Sequence, residues 1–231
     1  ALNAASLTGT ETMRLSGTGN GGVGALTASG TANVGSGNSV VLDAAATIGG
    51  AGTLEMDAVI SESGGARTLT KAGAGSLVLS GNNSYTGATL ITAGILRAGA
   101  ADVLDNSSGL NLNAVFTTFN MAGFDQSLGK LDGIASSVLR NDAGSTANTA
   151  TLTITAGGGS FAGSLIENGT DQLSLTKAGT GTQILAGAGN AYSGVTTVSG
   201  GTLQAGADNV LGVSSLTIST ATATFNLAGF D

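Results

Sequence analysis

The chain is 231 residues long and 41% hydrophobic, with 9% charged residues, a formal net charge of −7, Gly 40, Pro 0, Cys 0, His 0 and Trp 0. Without His or Cys there is no Ser-His or Cys-His nucleophile pair and none of the usual zinc ligand sets. With 7 scattered bases against 14 acids, there is no clustered Lys/Arg grip for nucleic-acid phosphates and no basic face for a membrane surface.

Three stretches set the frame of the chain. Residues 1–19 read as the end of a preceding repeat unit, residues 20–125 as repeat unit 1 and residues 126–231 as repeat unit 2. The basis is a fixed period: Leu69 and Leu175 are 106 residues apart, as are Gly123 and Gly229. One further period back lies Gly17, where Met13-Arg14-Leu15-Ser16-Gly17 echoes Phe119-Asn120-Met121-Ala122-Gly123 and Phe225-Asn226-Leu227-Ala228-Gly229. Residues 20–68 and 126–174 form the diverged half of each unit, aligned at their ends by Val59-Ile60 against Leu165-Ile166. In the conserved half, Asn82-Asn83-Ser84 before Tyr85 faces the one-residue-longer Ala188-Gly189-Asn190-Ala191 before Tyr192. A length change there marks a loop.

Short strands recur through both units. Leu77-Val78-Leu79, Thr151-Leu152-Thr153-Ile154-Thr155 and Leu173-Ser174-Leu175 alternate at period two and end at Gly, Asn or Ser clusters, and no window carries a helical stripe. Gly and Asn supply the turns. A sandwich or barrel has no reason to repeat every 106 residues, and propeller blades of about 40–50 residues fit that period poorly. The expectation is one continuous all-β solenoid, a parallel β-helix of about ten rungs of roughly 20 residues, about five rungs per unit. One rung cannot offset the entropy of ordering it, so neighbouring rungs of the same longer chain are the first partner expected. No apolar run reaches the roughly 18 residues of a membrane-spanning helix. With no initiator Met and no basic-then-apolar leader, a targeting signal is expected to be absent or removed, and the chain to be a segment of a longer rod.

The conserved half resembles a known family. Leu-Thr-Lys-x-Gly-x-Gly, then Leu-x-Leu-Ser-Gly, then Asn…Tyr-Thr-Gly and Gly-x-Leu is carried by Leu69, Lys71, Gly73, Gly75, Leu77, Leu79, Gly81, Tyr85, Gly87, Ile91, Gly94 and Leu96. The second copy is carried by Leu175, Lys177, Gly179, Gly181, Leu185, Gly187, Tyr192, Gly194, Val198, Gly201 and Leu203. Together they are similar to the passenger-associated β-strand repeat of bacterial autotransporters. The resemblance implies a right-handed parallel β-helix on a secreted or surface-displayed protein of a Gram-negative bacterium, commonly an adhesin stalk. It implies a host-cell or glycan surface, or self-association, as further partners. One residue departs from the pattern: Gln183 stands where Leu77 does in the first copy, which suggests an inward amide near a corner or an in/out assignment off by one.

No cofactor, metal or catalytic constellation is expected. Gly17-Thr18-Gly19-Asn20-Gly21-Gly22 spells a GxGxxG string, but a dinucleotide fingerprint needs a helix after it, and more Gly and Ala follow. The acid pairs Glu55 with Asp57 and Asp102 with Asp105 are the carboxylates that a polysaccharide-cleaving β-helix would need, and neither repeats. Tyr85 and Tyr192 are expected to cover rung corners with their hydroxyls at the surface, and Lys71 and Lys177 to face solvent at such corners. The reading is a structural and interaction segment, an adhesin stalk, with a fibre-forming building block and a polysaccharide-cleaving enzyme as the alternatives.

Overall fold

The computed structural model describes residues 6–144 and 147–230, so the first five residues of the preceding-unit tail, residues 145–146 and Asp231 lie outside the described residues. The described chain is all strand and turn apart from one 3₁₀ turn, Asn20–Gly22. It coils as a parallel β-solenoid of about nine turns, close to the ten expected. Each turn visits three faces in a fixed order.

The first face is an eight-stranded parallel sheet running from Ser6–Leu7 through Thr31–Val34, Thr53–Met56, Ser76–Leu79, Ile95–Ala98, Thr118–Asn120 and Val138–Asn141 to Ser164–Glu167. The second face begins with Thr12–Gly17, the front of the long strand Ser39–Gly50, and Val59–Glu62. It resumes as Gln126–Leu128, Thr149–Ile154, Gln172–Lys177, Thr196–Val198 and Leu216–Ile218. The third face carries Leu26–Ala28, the rear of Ser39–Gly50, Leu69–Lys71, Thr89–Ile91, Leu110–Leu112, Leu131–Gly133, Gly159–Phe161, Thr182–Leu185, Thr202–Ala205 and Thr224–Asn226. Strand Ser39–Gly50 bends around a corner, pairing with Val59–Glu62 by its first residues and with Leu69–Lys71 by its later ones.

Alternation of side chains drives the coil. On the first face Leu54, Leu77, Leu96, Phe119, Leu139 and Leu165 are in register with one another, and all are buried. Each such side chain removes about 1.5–3 kcal/mol worth of apolar surface from water, but only once the next turn covers it. Pairing across the turns advances by 19 residues from Ser76 to Ile95, by 21 from Thr89 to Leu110 and by 28 from Gly133 to Phe161. The tightest of these, from Ser76 to Ile95, lies in the conserved half, whose glycines form the corners.

Candidate functional site

The recurring motif is the place to look for chemistry, and its polar residues point inward. Lys71 follows Leu69 by two residues on one strand, so the period-two rule that buries Leu69 buries Lys71 too. It stands in the interior column between Ile48 and Ile91. Its Nζ donates to the carbonyls of Ala72 at 2.9 Å, Gly73 at 2.8 Å and Ala93 of the next turn at 3.1 Å. Lys177 repeats the arrangement, donating to Ala178, to Gly179 at 3.2 Å and to Gly200 at 3.4 Å. The expectation of solvent-facing lysines is therefore corrected, with 2% and 0% of their surfaces exposed. Burial pushes the Lys71 ammonium down to about 8 and the Lys177 ammonium in the same direction. The corner carbonyls keep these buried cations hydrogen-bonded.

Tyr85 and Tyr192 are buried entirely, hydroxyl included, which corrects their placement at the surface. Tyr85 Oη shares a 2.7 Å hydrogen bond with Thr89 Oγ1, which reaches Ser107 Oγ of the next turn at 3.3 Å. Tyr192 does the same with Thr196 at 2.7 Å, and Thr196 with Ser214 at 2.6 Å. Burial pushes both phenols up, against the opposing pull of these hydroxyl bonds.

Beside each tyrosine sits a buried asparagine that laces neighbouring turns together. Asn83 accepts from the Ile60 N–H at 2.8 Å and donates to the Val103 carbonyl at 3.1 Å. Asn190 accepts from Leu165 N–H at 2.8 Å and donates to Val210 O at 2.6 Å. Ile60 is thus the counterpart of Leu165, one residue away from the alignment of Ile60 with Ile166. The same offset pairs Glu62 with Glu167. Glu62 accepts from Arg67 N–H and the Thr86 hydroxyl, and Glu167 accepts from Leu173 N–H and Ser193 N–H. Burial pushes the Glu62 carboxyl up, but the bonds from Thr86, Arg67 and Gly87 outweigh it and hold the group below its ordinary value. This carboxylate clamp lies in the half read as diverged, and the one-residue offset hides it in the sequence.

The motif glycines occupy the corners. Gly73, Gly94, Gly179 and Gly201 have positive φ, while a Cβ at Gly75, Gly81, Gly87, Gly181, Gly187 or Gly194 would strike main chain of the adjacent turn. Gln183 is buried, its amide accepting from Leu131 N–H at 3.1 Å and donating to Leu131 O at 2.7 Å. Of the two explanations for this departure from the motif, the structure selects the inward amide.

The carboxylate pairs lie on the outside of the coil, with Glu55, Asp102 and Asp105 exposed and Asp57 half-buried. Asn33 Nδ2 donates to Glu55 at 3.4 Å and to Asp57 at 2.8 Å. Asp102 and Asp105 close one turn through Asp105 N–H to Asp102 O at 3.2 Å. The GxGxxG string ends in the Asn20–Gly22 turn and runs on to strand Leu26–Ala28, so no helix presents its N-terminus to a phosphate there. Among the described residues no three acidic, His or Cys side chains are grouped to hold a metal, and no helix is long and apolar enough to cross a membrane.

Comparison with known proteins places the motif. Residues 69–98 and 175–205 match the model of the passenger-associated-transport-repeat. Over 178 residues, 73% of this chain, the sequence is 38% identical to the adhesin BmaC autotransporter of Brucella suis biovar 1 (strain 1330), of which the match covers 5%. Over 107 residues, 46% of this chain, it is 36% identical to the uncharacterized protein YuaQ of Escherichia coli (strain K12), of which the match covers 8%. The chain thus spans a small fraction of the length of these relatives. No solved structure matches it significantly.

Proposed function

We propose, from the premise that this chain carries two passenger-associated-transport-repeats, that it is a β-helical stalk segment of an autotransporter-like adhesin displayed on the bacterial surface. The observation that carries the reading is the ladder of parallel pairings, unbroken along the third face from Leu26–Ala28 to Thr224–Asn226 and along the first face as far as Ser164–Glu167, in a coil of about nine turns. The buried Lys and Asn side chains of the motif join one turn to the next, and each Tyr does so through the Thr it bonds. Such a ladder resists bending and can be lengthened by whole units without a new core. We take the coil as right-handed, the hand that parallel crossovers adopt almost without exception. The role is mechanical rather than catalytic, since the motif side chains that carry chemistry elsewhere are buried and hydrogen-bonded here. Its outward partners, a host-cell or glycan surface, would be met by exposed loops or by other parts of the parent protein. Units 20–125 and 126–231 are the lengths by which the rod grows.

The test is to delete residues 126–231 from the surface-displayed parent and measure its projection by force microscopy or electron microscopy. The stalk reading expects display to persist and the projection to shorten by about 22 Å, from turns spaced about 4.8 Å apart. Unchanged length would refute it.

A further inference from the structure

The sequence repeat and the coil do not share a period. Leu69–Lys71 lies on the third face, but its counterpart in the second copy, within Gln172–Lys177, lies on the second. Ser76–Leu79 is on the first face and its counterpart Thr182–Leu185 on the third. The tyrosine turn follows the same rule. Around Tyr85 it continues the second face, because Ser84 N–H bonds Ile60 O, and around Tyr192 it continues the first, where Ala191 pairs with Ile166. Thr12–Gly17, starting on the second face, corresponds to Thr118–Asn120 on the first and Thr224–Asn226 on the third.

Every counterpart has stepped back by one face, over both intervals. Following the faces in order, Leu69–Lys71 to Gln172–Lys177 is fourteen face positions, as is Thr12–Gly17 to Thr118–Asn120. At three faces to a turn, one 106-residue unit is four turns and two thirds, in keeping with the about five expected from the sequence but not a whole number.

We infer that the repeat is a rotating display: the loop at each tyrosine turn is presented one third of a turn away from its counterpart in the neighbouring unit, so that three successive units place it on all three sides of the rod. The exposed positions Ser84 and Thr86 thus look out from the second face, and Ala191 and Ser193 from the first. A rod lying on a planar partner offers this loop whichever side it rests on. On any one side the loop returns only after three units, about 67 Å along the axis at about 4.8 Å per turn. The inference is separate from the stalk reading, because copies lining a single side would still build a stalk.

The absence of native cysteine allows clean spin labelling of the 231-residue chain. In S84C/A191C the labels are about 22 Å apart along the axis. With outer positions about 10 Å from that axis, a one-third turn adds about 17 Å sideways, for a separation of about 28 Å. The pair S84C/T176C shares the second face four turns apart and should read about 19 Å. T86C/S193C repeats the first measurement at an independent site. A separation of about 28 Å for both counterpart pairs, well above the same-face pair, is the expected result. Counterpart separations of about 22 Å would put the loops on one side and overturn the inference.

Discussion

Gln183→Leu restores the residue that the first copy carries at Leu77, and by sequence it should tighten the core. The structure says the opposite. Strands Leu131–Gly133 and Gly159–Phe161 are joined by the single pairing of Gly133 with Phe161. Gly159 lies between Leu131 and Gln183, and a Cβ there would crowd both the Leu131 carbonyl and Gln183 Oε1. Through that gap the Gln183 amide bonds the N–H and C=O of Leu131, standing in for a missing peptide group. Leucine would leave this buried donor and acceptor without partners, at about 1–3 kcal/mol each. The added apolar burial returns up to about 2 kcal/mol. The net is a loss of about 2 kcal/mol, read from denaturant unfolding of the isolated chain. Hydrogen exchange locates it, since the Leu131 amide should lose protection first. The reciprocal Leu77→Gln also destabilises, by about 3 kcal/mol, because Leu77 is flanked by complete pairings with Leu54 and Leu96 and offers the amide nothing to bond. A Gln183→Leu chain as stable as its parent, with Leu131 protection unchanged, would refute the reasoning.

Asn83→Ala removes the bonds to Ile60 N–H and Val103 O, both within the core, and should cost about 3 kcal/mol; Asn83→Asp should be no better, since it sets a second acceptor against the Val103 carbonyl, and equilibrium unfolding of the two checks this. Gly73→Ala combines a φ of 74° with a Cβ driven into Gly50 O, whereas Gly169→Ala, at φ 62° with open space around it, meets strain alone. The first should lower stability by well over the roughly 1–2 kcal/mol of the second, and thermal melts of both would show the gap. Stability should also peak at alkaline pH. Lys71, held at about 8 in the fold against 10.5 when free, leaves the unfolded chain with more bound protons in that interval, so stability rises with pH across it. Above about 10 the buried tyrosines stay protonated while unfolded tyrosines ionise, so stability then falls. Denaturation midpoints followed from about pH 7 to about pH 12 should pass through a maximum at about pH 10, and a steady fall from about pH 8 would contradict the assignment.

The strands, the parallel coil and the corner glycines are legible in the sequence because they rest on local rules. Leu77-Val78-Leu79 alternates wherever it is placed, and glycine corners repeat with the motif. The polar interior escapes any reading in which composition outweighs periodicity. Leu69-Thr70-Lys71 and Leu175-Thr176-Lys177 follow period two without exception, and the pattern alone puts both lysines inside. Their charge argues them outward because the carbonyl triads that accept the ammonium come partly from the following turn, at Ala93 and Gly200, beyond any local window. The Glu62 and Glu167 clamp is hidden for another reason. The offset between the units is one residue shorter there than the 106 of the motif, so a fixed-period comparison sets Glu62 against Asn168.

The buried amides explain how one ladder accommodates turns of such different length. Asn38, Asn83, Gln126, Gln183 and Asn190 are all inside or nearly so, and each bonds main-chain groups on other stretches of the coil. Asn38 takes Glu11 N–H and gives to Leu7 O. Gln126 takes Val103 N–H and gives to Ala100 O. Residues 82–86 and 102–107 of the second face contain no regular strand, and it is Asn83 and Gln126 that satisfy main-chain groups there. An amide side chain offers the same donor and acceptor as a peptide group, so it can replace one where a loop has displaced the strand. The cost of a buried polar group is then avoided, and a loop can lengthen without interrupting the rod. A coil whose loops vary between units while its axis continues needs such substitutes, and their positions mark where a loop can differ without stranding a buried donor or acceptor.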